Sequence, residues 1–172
     1  MKRILSIILV LAMLIPAIAL ADYSSMSDDD LNKELNLIRA ELVKRAELKE
    51  GKQILADADG MTVTLKGEPE LRKNYDGSYN LDIPVTVVNS SDKKIGIRTD
   101  EGYVNGWKVY ASFTSMLDAG MKEKEVISVY KVNEEAELES LDDLEDIKLV
   151  FLSYDSNFNT LTRNIKTVIT YK

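Results

Sequence analysis

The chain has 172 residues, with 22 Lys plus Arg against 29 Asp plus Glu, and its formal net charge at pH 7 is −7. It contains no His and no Cys, which excludes Ser-His and Cys-His nucleophile pairs, ordinary zinc sites and disulfide bonds. The acidic balance repels nucleic-acid phosphates and anionic membrane surfaces, so we expect neither as a partner.

The N-terminal 21 residues have the three-part organisation of a secretory signal peptide. Lys2 and Arg3 form a short positive region, and the residues from Ile4 to Ile15 are almost wholly apolar. This run is shorter than the about 20 residues of a membrane-spanning helix. Ala19-Leu20-Ala21 supplies small residues for cleavage. We predict export with cleavage after Ala21, and removing two cations and no acid from a net charge of −7 leaves −9. An uncleaved membrane anchor is the alternative.

Residues 27–49 carry the pattern of one amphipathic helix. Ser27 can cap it together with Asp30, in a shortened version of the capping box. The apolar positions form a single helical stripe, namely Leu31, Leu35, Ile38 and Leu42. Gly51 is a suitable stop. The stripe could pack on the rest of the protein or stand away from it to meet another helix, and the sequence leaves both open.

Beyond Gly51 the period of the apolar residues changes from about 3.6 to about 2, which predicts strands. The alternating positions are Met61, Val63 and Leu65; Tyr79, Leu81, Ile83, Val85 and Val87; Ile95 and Ile97; Ile147, Leu149 and Phe151; and Ile165, Ile169 and Tyr171. These runs predict a mainly β fold, an antiparallel sandwich of roughly seven or eight strands preceded by one helix. The expected segments are a signal peptide at 1–21, an N-terminal helix at 22–51 and one β-sandwich domain at 52–172.

The connections between these runs contain clear turn signals. Asn105-Gly106, Asp59-Gly60 and Asp76-Gly77 are predicted as tight turns, because both residue types tolerate positive φ. Pro84 has no N–H to give to a ladder, so we predict an edge position or a bulge there. The acidic segment from Glu134 to Leu144 is predicted as a short helical crossover between two strands.

Two kinds of catalytic site remain once His and Cys are excluded. Ser90 and Ser91 lie near Lys93 and Lys94, so a Ser-Lys pair is available, although the stretch is more simply a hydrophilic loop. A carboxylate pair can always be found among 29 acids, and a single Trp offers little aromatic lining for a glycosidase cleft. We therefore predict that the protein is not an enzyme, with a small hydrolase as a remote alternative.

Two stretches resemble part of a calcium loop. Asp155-x-Asn157-x-Asn159 would need Gly and Glu at the sixth and twelfth positions of the loop, where Thr160 and Lys166 stand. The stretch from Asp57 to Gly60 also fails, because Leu55 and Lys66 occupy the first and twelfth positions. Both are predicted to be turns, and we expect neither a metal site nor a cofactor.

Five aromatic residues lie near predicted turns: Tyr75, Tyr79, Tyr103, Trp107 and Tyr110. Exposed rings on a β-sandwich can stack on sugars or anchor a protein partner. The competing interpretation is that most of them fill the core. We take Tyr103, Trp107 and Tyr110 as the candidate binding residues.

Several short stretches are typical of one family of exported domains. They are Asp59-Gly60 before Met61-Thr62-Val63, Ile83 to Asp92, Val104-Asn105-Gly106, Ala119-Gly120-Met121-Lys122, and Leu144-Glu145-Asp146-Ile147 before Phe151. Through them, the segment from about Asp57 to Lys172 resembles the exported immunoglobulin-like domains of unknown function of Gram-positive gut bacteria. The resemblance implies a β-sandwich fold and brings no functional residues. Many such relatives are lipoproteins, whereas this chain has no Cys for a lipobox.

Together these observations predict an acidic, exported, non-catalytic binding or interaction module of the cell envelope or extracellular space. Its partner would be a protein, met by the helix stripe or a sheet edge, or a glycan, met by exposed Tyr and Trp rings. The second case makes it a carbohydrate-binding module.

Overall fold

The computed structural model describes residues 27–49 and 53–171. The predicted signal peptide and its cleavage point after Ala21 lie outside the described residues. One helix, α1 (Asp28–Lys49), precedes the strands. The strands are β1 (Ile54–Ala58), β2 (Met61–Leu65), β3 (Glu70–Lys73), β4 (Tyr79–Asn89), β5 (Ile95–Val104), β6 (Trp107–Ser112), β7 (Thr114–Leu117), β8 (Lys122–Tyr130), β9 (Asp146–Asp155) and β10 (Thr160–Thr170).

The described residues fall into two units with a boundary between Asn32 and Lys33, and α1 begins in the first. Its predicted cap is confirmed. The Asp30 N–H donates to Ser27 Oγ at 3.2 Å, and Ser27 Oγ donates to the Asp30 carboxylate at 2.6 Å. These reciprocal bonds satisfy one of the free N–H groups that every helix start leaves.

The apolar stripe of α1 is incompletely covered in the second unit. Leu35 and Leu42 are 43% and 45% exposed, while Ile38 is half-buried. A different face of the helix lies against the β-rich part. Asn36 is so close to Gly120 that a Cβ added to this glycine would lie 2.5 Å from Asn36 Cβ. At about 100° per residue, Asn36 is off the stripe, so the stripe is not the face that meets Gly120.

All strand pairs are antiparallel, and the path through the sheet is β1-β2-β4-β8-β6-β5-β9-β10. Strand β3 also pairs with β4, and β7 also pairs with β5. Strand β6 joins the two halves, because its residues 107–109 pair with β5 and its residues 110–112 pair with β8. The two ends of the path also meet, since Gln53 Nε2 donates to the Val168 carbonyl at 2.8 Å. The predicted mainly β antiparallel fold with one preceding helix is confirmed, and the sheet is nearly barrel-like. The described residues hold ten strands, more than the seven or eight expected.

The core confirms the period-2 pattern. Val63, Ile83, Ile97, Ile127 and Leu149 are fully buried and belong to five different strands. Removing this apolar surface from water is the main term that stabilises the fold. Strand β10 alternates as well, because Ile169 is buried and Ile165 and Tyr171 pack against the core, whereas Val168 is exposed.

The predicted turns at Asp59-Gly60 and Asn105-Gly106 have the expected backbone geometry, whereas at Asp76-Gly77 only Gly77, with φ 87°, has a positive φ. Asp59 and Gly60 have φ of 52° and 85°, and Asn105 and Gly106 have φ of 50° and 81°. Positive φ at both central residues is the signature of a type I′ hairpin turn. The Asn105 side chain adds three long-range bonds. Its Nδ2 donates to the Asp143 carbonyl at 2.9 Å, and its Oδ1 accepts from the N–H groups of Glu145 at 2.8 Å and Asp146 at 3.3 Å. The β5–β6 hairpin is thereby held against the segment that precedes β9.

The prediction for Pro84 is wrong. It lies in β4, an interior strand that pairs with β8 on one side and with β3 and β2 on the other. Pro84 nevertheless lies at a position where the ladder needs no N–H. The Pro84 carbonyl accepts from the Lys66 N–H at 2.9 Å. Because the N and the C=O of one residue in an antiparallel strand point to the same side, the Pro84 N also faces the place where the neighbour of β4 changes from β3 to β2. No ladder bond is lost at that junction.

The acidic crossover between β8 and β9 contains two short helical pieces, α2 (Val132–Glu135) and a 3-10 turn (Leu141–Asp143). Leu138 and Leu144 anchor it because both are buried. Its start is fixed by Asn133, whose Oδ1 accepts from the Tyr79 N–H at 2.7 Å. The predicted crossover is therefore present, and it places α2 beside the beginning of β4.

Candidate functional site

One exposed aromatic feature is a pair of tyrosines on adjacent strands. Tyr110 of β6 is directly opposite Tyr130 of β8, and directly opposed residues place their side chains on the same face. The ring centroids are 5.6 Å apart with a tilt of 35°. Tyr110 is 70% exposed and Tyr130 is 38% exposed. The pair forms a joined apolar surface that faces solvent.

This pair is one wall of a cleft of about 520 Å³. The other walls are the turn between β3 and β4, the start of β4, the end of β8 and α2. The lining residues are Asn74, Asp76, Ser78, Asn80, Tyr110, Tyr130, Lys131 and Glu135. This volume lies in the range of small-molecule sites, about 300–1,000 Å³.

The floor of the cleft is polar and buried. Asn80 is only 4% exposed. Its Oδ1 accepts from the Lys131 N–H at 3.1 Å and from Asn74 Nδ2 at 3.0 Å. Lys131 can present its N–H in this direction because it adopts the left-handed conformation, with φ 53°, where β8 ends. Across the described residues, no hydrogen bond satisfies Asn80 Nδ2, so it is an unused donor at the site.

The charged groups of the cleft are held in defined states. Asp76 Oδ1 accepts from the Ser78 hydroxyl at 2.6 Å and from the Ser78 N–H at 3.0 Å, and these bonds lower the pKa of Asp76. Lys131 Nζ pairs with Glu134 at 3.0 Å, which raises the pKa of Lys131. At neutral pH the cleft therefore carries the ionised Asp76 and a cation that already has a partner.

Of the three aromatic residues predicted as the site, Tyr110 alone lies in this cleft. Tyr103 is half-buried on the same face, where its hydroxyl donates to Glu101 at 2.9 Å and Lys148 Nζ lies 4.9 Å from its ring. Lys108, opposite Tyr103, also pairs with Glu101 at 3.1 Å. Tyr110 borders a second groove of about 290 Å³ that Glu101 and Lys108 line.

Trp107 lies on the opposite face of β6 from these residues. It is 62% exposed, but successive residues of β6 point to opposite faces, so Trp107 shares a face with Val109 and not with Tyr110. The structure thus does not bring Tyr103, Trp107 and Tyr110 together. Of the other two aromatic residues near turns, Tyr75 is fully exposed and Tyr79 is half-buried.

Sequence reasoning missed most of the cleft. Tyr130 and Lys131 were not considered because β8 begins with four charged residues and was not predicted as a strand. Alternation of Ile127 and Val129 just before Tyr130 is the signal that could have located this strand. The turn at Asp76 was recognised, but only as a turn.

The serines and lysines of the β4–β5 loop have structural partners. Ser90 Oγ donates to the Gly60 carbonyl at 3.0 Å, and Ser91 Oγ donates to Asn89 Oδ1 at 2.7 Å. Lys94 Nζ pairs with Asp118 at 3.2 Å. In the part of the chain that the structure describes, no hydrogen bond joins either serine to Nζ of Lys93 or Lys94.

The stretches that resemble calcium loops are turns. The Asp155 carboxylate accepts from the N–H groups of Asn157 and Asn159 at 2.9 and 2.8 Å, and these two turn residues account for the lowered pKa of Asp155. Asp59 accepts a hydrogen bond from Ser153 Oγ. Within residues 27–49 and 53–171, no cluster of three or more acids could hold a metal ion.

No protein-family model matches this chain, and no curated protein matches it either. Solved structures that resemble it include a FixG-related protein from Vibrio parahaemolyticus, 16% identical, with 67% of this chain and 99% of that chain covered and a TM-score of 0.36. Another is a protein from Archaeoglobus fulgidus, 13% identical, with 63% and 98% covered and a TM-score of 0.38. Among the described residues, no helix is both long enough and apolar enough to cross a membrane.

Proposed function

We propose that the β-rich part of the chain is an immunoglobulin-like sandwich. Immunoglobulin-type domains have strands A, B, E and D in one sheet and C, F and G in the other. If β2, β4 and β5 stand for A, B and C, then β8, β9 and β10 stand for E, F and G. The observed orders β2-β4-β8 and β5-β9-β10 match that arrangement, and β6 lies beside β8 in the place of D.

We further propose that the protein is an exported, non-catalytic binding module that acts at the cell envelope or outside the cell. The proposal of export rests on the sequence of residues 1–21. The observation that supports binding is the exposed Tyr110–Tyr130 pair above a buried polar floor. An apolar surface with a few fixed polar groups is typical of a recognition site.

The chemistry of the cleft favours binding over catalysis. A general acid at neutral pH needs a raised carboxyl pKa, but hydrogen bonds from Ser78 lower the pKa of Asp76. A raised carboxyl pKa is found at Glu125 of β8, where desolvation and Glu123 cause it, and Glu125 does not line the cleft. The chain also has no His or Cys to act as a base or nucleophile.

Co-sedimentation with insoluble cell-envelope material tests the binding function. Tyr110→Ala removes an exposed ring of the cleft, while Trp107→Ala removes an exposed ring from the opposite face of the same strand and is the matched control. We expect wild type and Trp107→Ala to sediment alike and Tyr110→Ala to remain in solution. Equal loss in both variants, or no sedimentation of the wild type, contradicts a binding site in the cleft.

Two further measurements test the other parts of the proposal. If the protein is exported, mass spectrometry should find a secreted or envelope-bound chain that begins at Asp22. A cytosolic chain that begins at Met1 contradicts export. Absence of catalysis predicts no release of sugars or peptides from the envelope material. Sustained hydrolysis by the purified protein overturns this part.

A further inference from the structure

We infer that the Tyr110–Tyr130 cleft binds an uncharged sugar segment of a glycan, an inference that rests on the proposed binding function. Three features of the cleft carry it. They are the exposed ring surface, the unused hydrogen-bonding groups of the floor, and the local charge.

The ring surface suits the apolar face of a sugar. A pyranose ring presents C–H groups on one side, and these stack on the electron-rich face of an aromatic ring. Tyr110 and Tyr130 are adjacent, with centroids 5.6 Å apart, so a single sugar ring can cover parts of both. Covering Tyr110, which is 70% exposed, removes apolar surface from water and favours binding.

The floor offers both a donor and an acceptor. The orientation of the Asn80 amide is fixed, because the Lys131 N–H and Asn74 Nδ2 both need the acceptor Oδ1. Its Nδ2 is therefore the group left to donate. Asp76 takes both bonds from Ser78 on Oδ1, which leaves Oδ2 to accept. A sugar hydroxyl donates and accepts at once, so neighbouring hydroxyl groups match Asn80 and Asp76.

The charge of the cleft selects against anions. The carboxylates of Asp76 and Glu135 line it, and the ammonium group of Lys131 is already paired with Glu134. A uronic acid or a phosphorylated sugar would meet two like charges with no free cation from Lys131. An organic amine is the competing ligand, because aromatic faces and carboxylates attract cations, but it would leave the donor of Asn80 unused.

The surface beyond the cleft can accommodate a longer chain. Tyr110 borders the second groove, where Glu101 and Lys108 form an ion pair at 3.1 Å. Besides this pair, Arg98 and Asp100 line the groove, so it contains as many cationic as anionic side chains. A glycan stacked on Tyr110 can therefore extend from the cleft into the groove.

Binding of the purified protein to arrayed oligosaccharides tests this inference, with neutral oligosaccharides, oligogalacturonides and alkyl amines as the three ligand sets. We expect binding to neutral members only. Tyr110→Ala should weaken it about tenfold, the size of an aromatic stacking contact, and Tyr110→Phe should restore it because the ring remains. Trp107→Ala is again the control.

Preference for oligogalacturonides or amines, or no neutral oligosaccharide bound, overturns the glycan inference. Treated envelope material separates this outcome from failure of the proposed function. Periodate cleaves the vicinal diols of sugars, whereas protease removes proteins. If retention depends on Tyr110, persists after periodate and disappears after protease, the binding function stands and the glycan inference is refuted. If periodate abolishes retention and protease does not, the glycan inference is supported.

Discussion

Asn89 should be the most sensitive polar residue of the described fold. It is fully buried at the end of β4. Its Nδ2 donates to the carbonyls of Lys93 at 2.7 Å and Leu117 at 2.9 Å. Its Oδ1 accepts from the N–H and the hydroxyl of Ser91 at 2.9 and 2.7 Å. One side chain thus joins β4, the β4–β5 loop and the end of β7.

Asn89→Ala removes these bonds and leaves their backbone partners unsatisfied. Each buried polar group without a partner costs about 1–3 kcal/mol. Because the loop can admit water to some of these groups, we expect a total loss of about 3 kcal/mol in the free energy of unfolding. For a protein of this size that loss corresponds to a fall in Tm of roughly 6–12 °C.

Urea unfolding followed by circular dichroism measures this loss, with the slope m unchanged because the exposed surface is the same. The matched control is Asn157→Ala in an exposed turn, which should change the free energy by about 0.5 kcal/mol or less. Asn89→Asp keeps the acceptor for Ser91 but loses the donor, and should be at least as destabilising. An Asn89→Ala variant as stable as the control would refute the reasoning.

Three other changes have defined outcomes. A Cβ at Gly96 would overlap the ring of Tyr154, so Gly96→Ala should cost about 1–3 kcal/mol in urea unfolding, and much less in a Tyr154→Ala background. Desolvation and Glu68 raise the pKa of Tyr171 from 10.0 to about 12, so the folded state holds this proton more tightly. The free energy of unfolding should therefore fall as pH rises from 10.0 towards about 12, and Tyr171→Phe should reduce that fall. At Asn105, with φ 50°, Gly keeps the turn but loses the side-chain bonds. Asn105→Ala should thus lower the Tm more than Asn105→Gly, because Ala at this positive φ adds a backbone strain of about 1–2 kcal/mol.

Features set by neighbouring residues could be predicted from the sequence. Ser27 and Asp30 are three positions apart, and their reciprocal bonds depend only on the local helix start. The turns at Asp59-Gly60 and Asn105-Gly106 depend on which residues tolerate positive φ. The alternation in β4 and β9 directly reported a buried face. These elements were enough to predict an antiparallel β fold.

The cleft could not be predicted because its parts are distant in the chain. Tyr110 meets Tyr130 only through the pairing of β6 with β8 over residues 110–112. Asn80 meets the Lys131 N–H through a bond that spans 51 positions. No periodicity within a single segment reports such pairings. The grouping of Tyr103, Trp107 and Tyr110 followed sequence proximity, whereas the strand period places Trp107 on the other face.

Pro84 illustrates the same limit. Its missing N–H correctly indicated a position without a ladder bond. An edge strand is one way to provide such a position, and a change of neighbour within an interior strand is another. The choice between them depends on where β3 ends and β2 begins alongside β4, which is a property of the whole sheet.

The most direct test of the binding cleft is amide chemical-shift mapping of the ¹⁵N-labelled protein during titration with a neutral oligosaccharide. We expect the largest shifts in residues 74–80, around Tyr110 and in residues 130–135, the segments that line the cleft. The side-chain amide of Asn80 should shift with them as its Nδ2 gains a partner. Shifts centred on α1 or on the Asp155 turn, or no shifts at all, would contradict a glycan-binding site in this cleft.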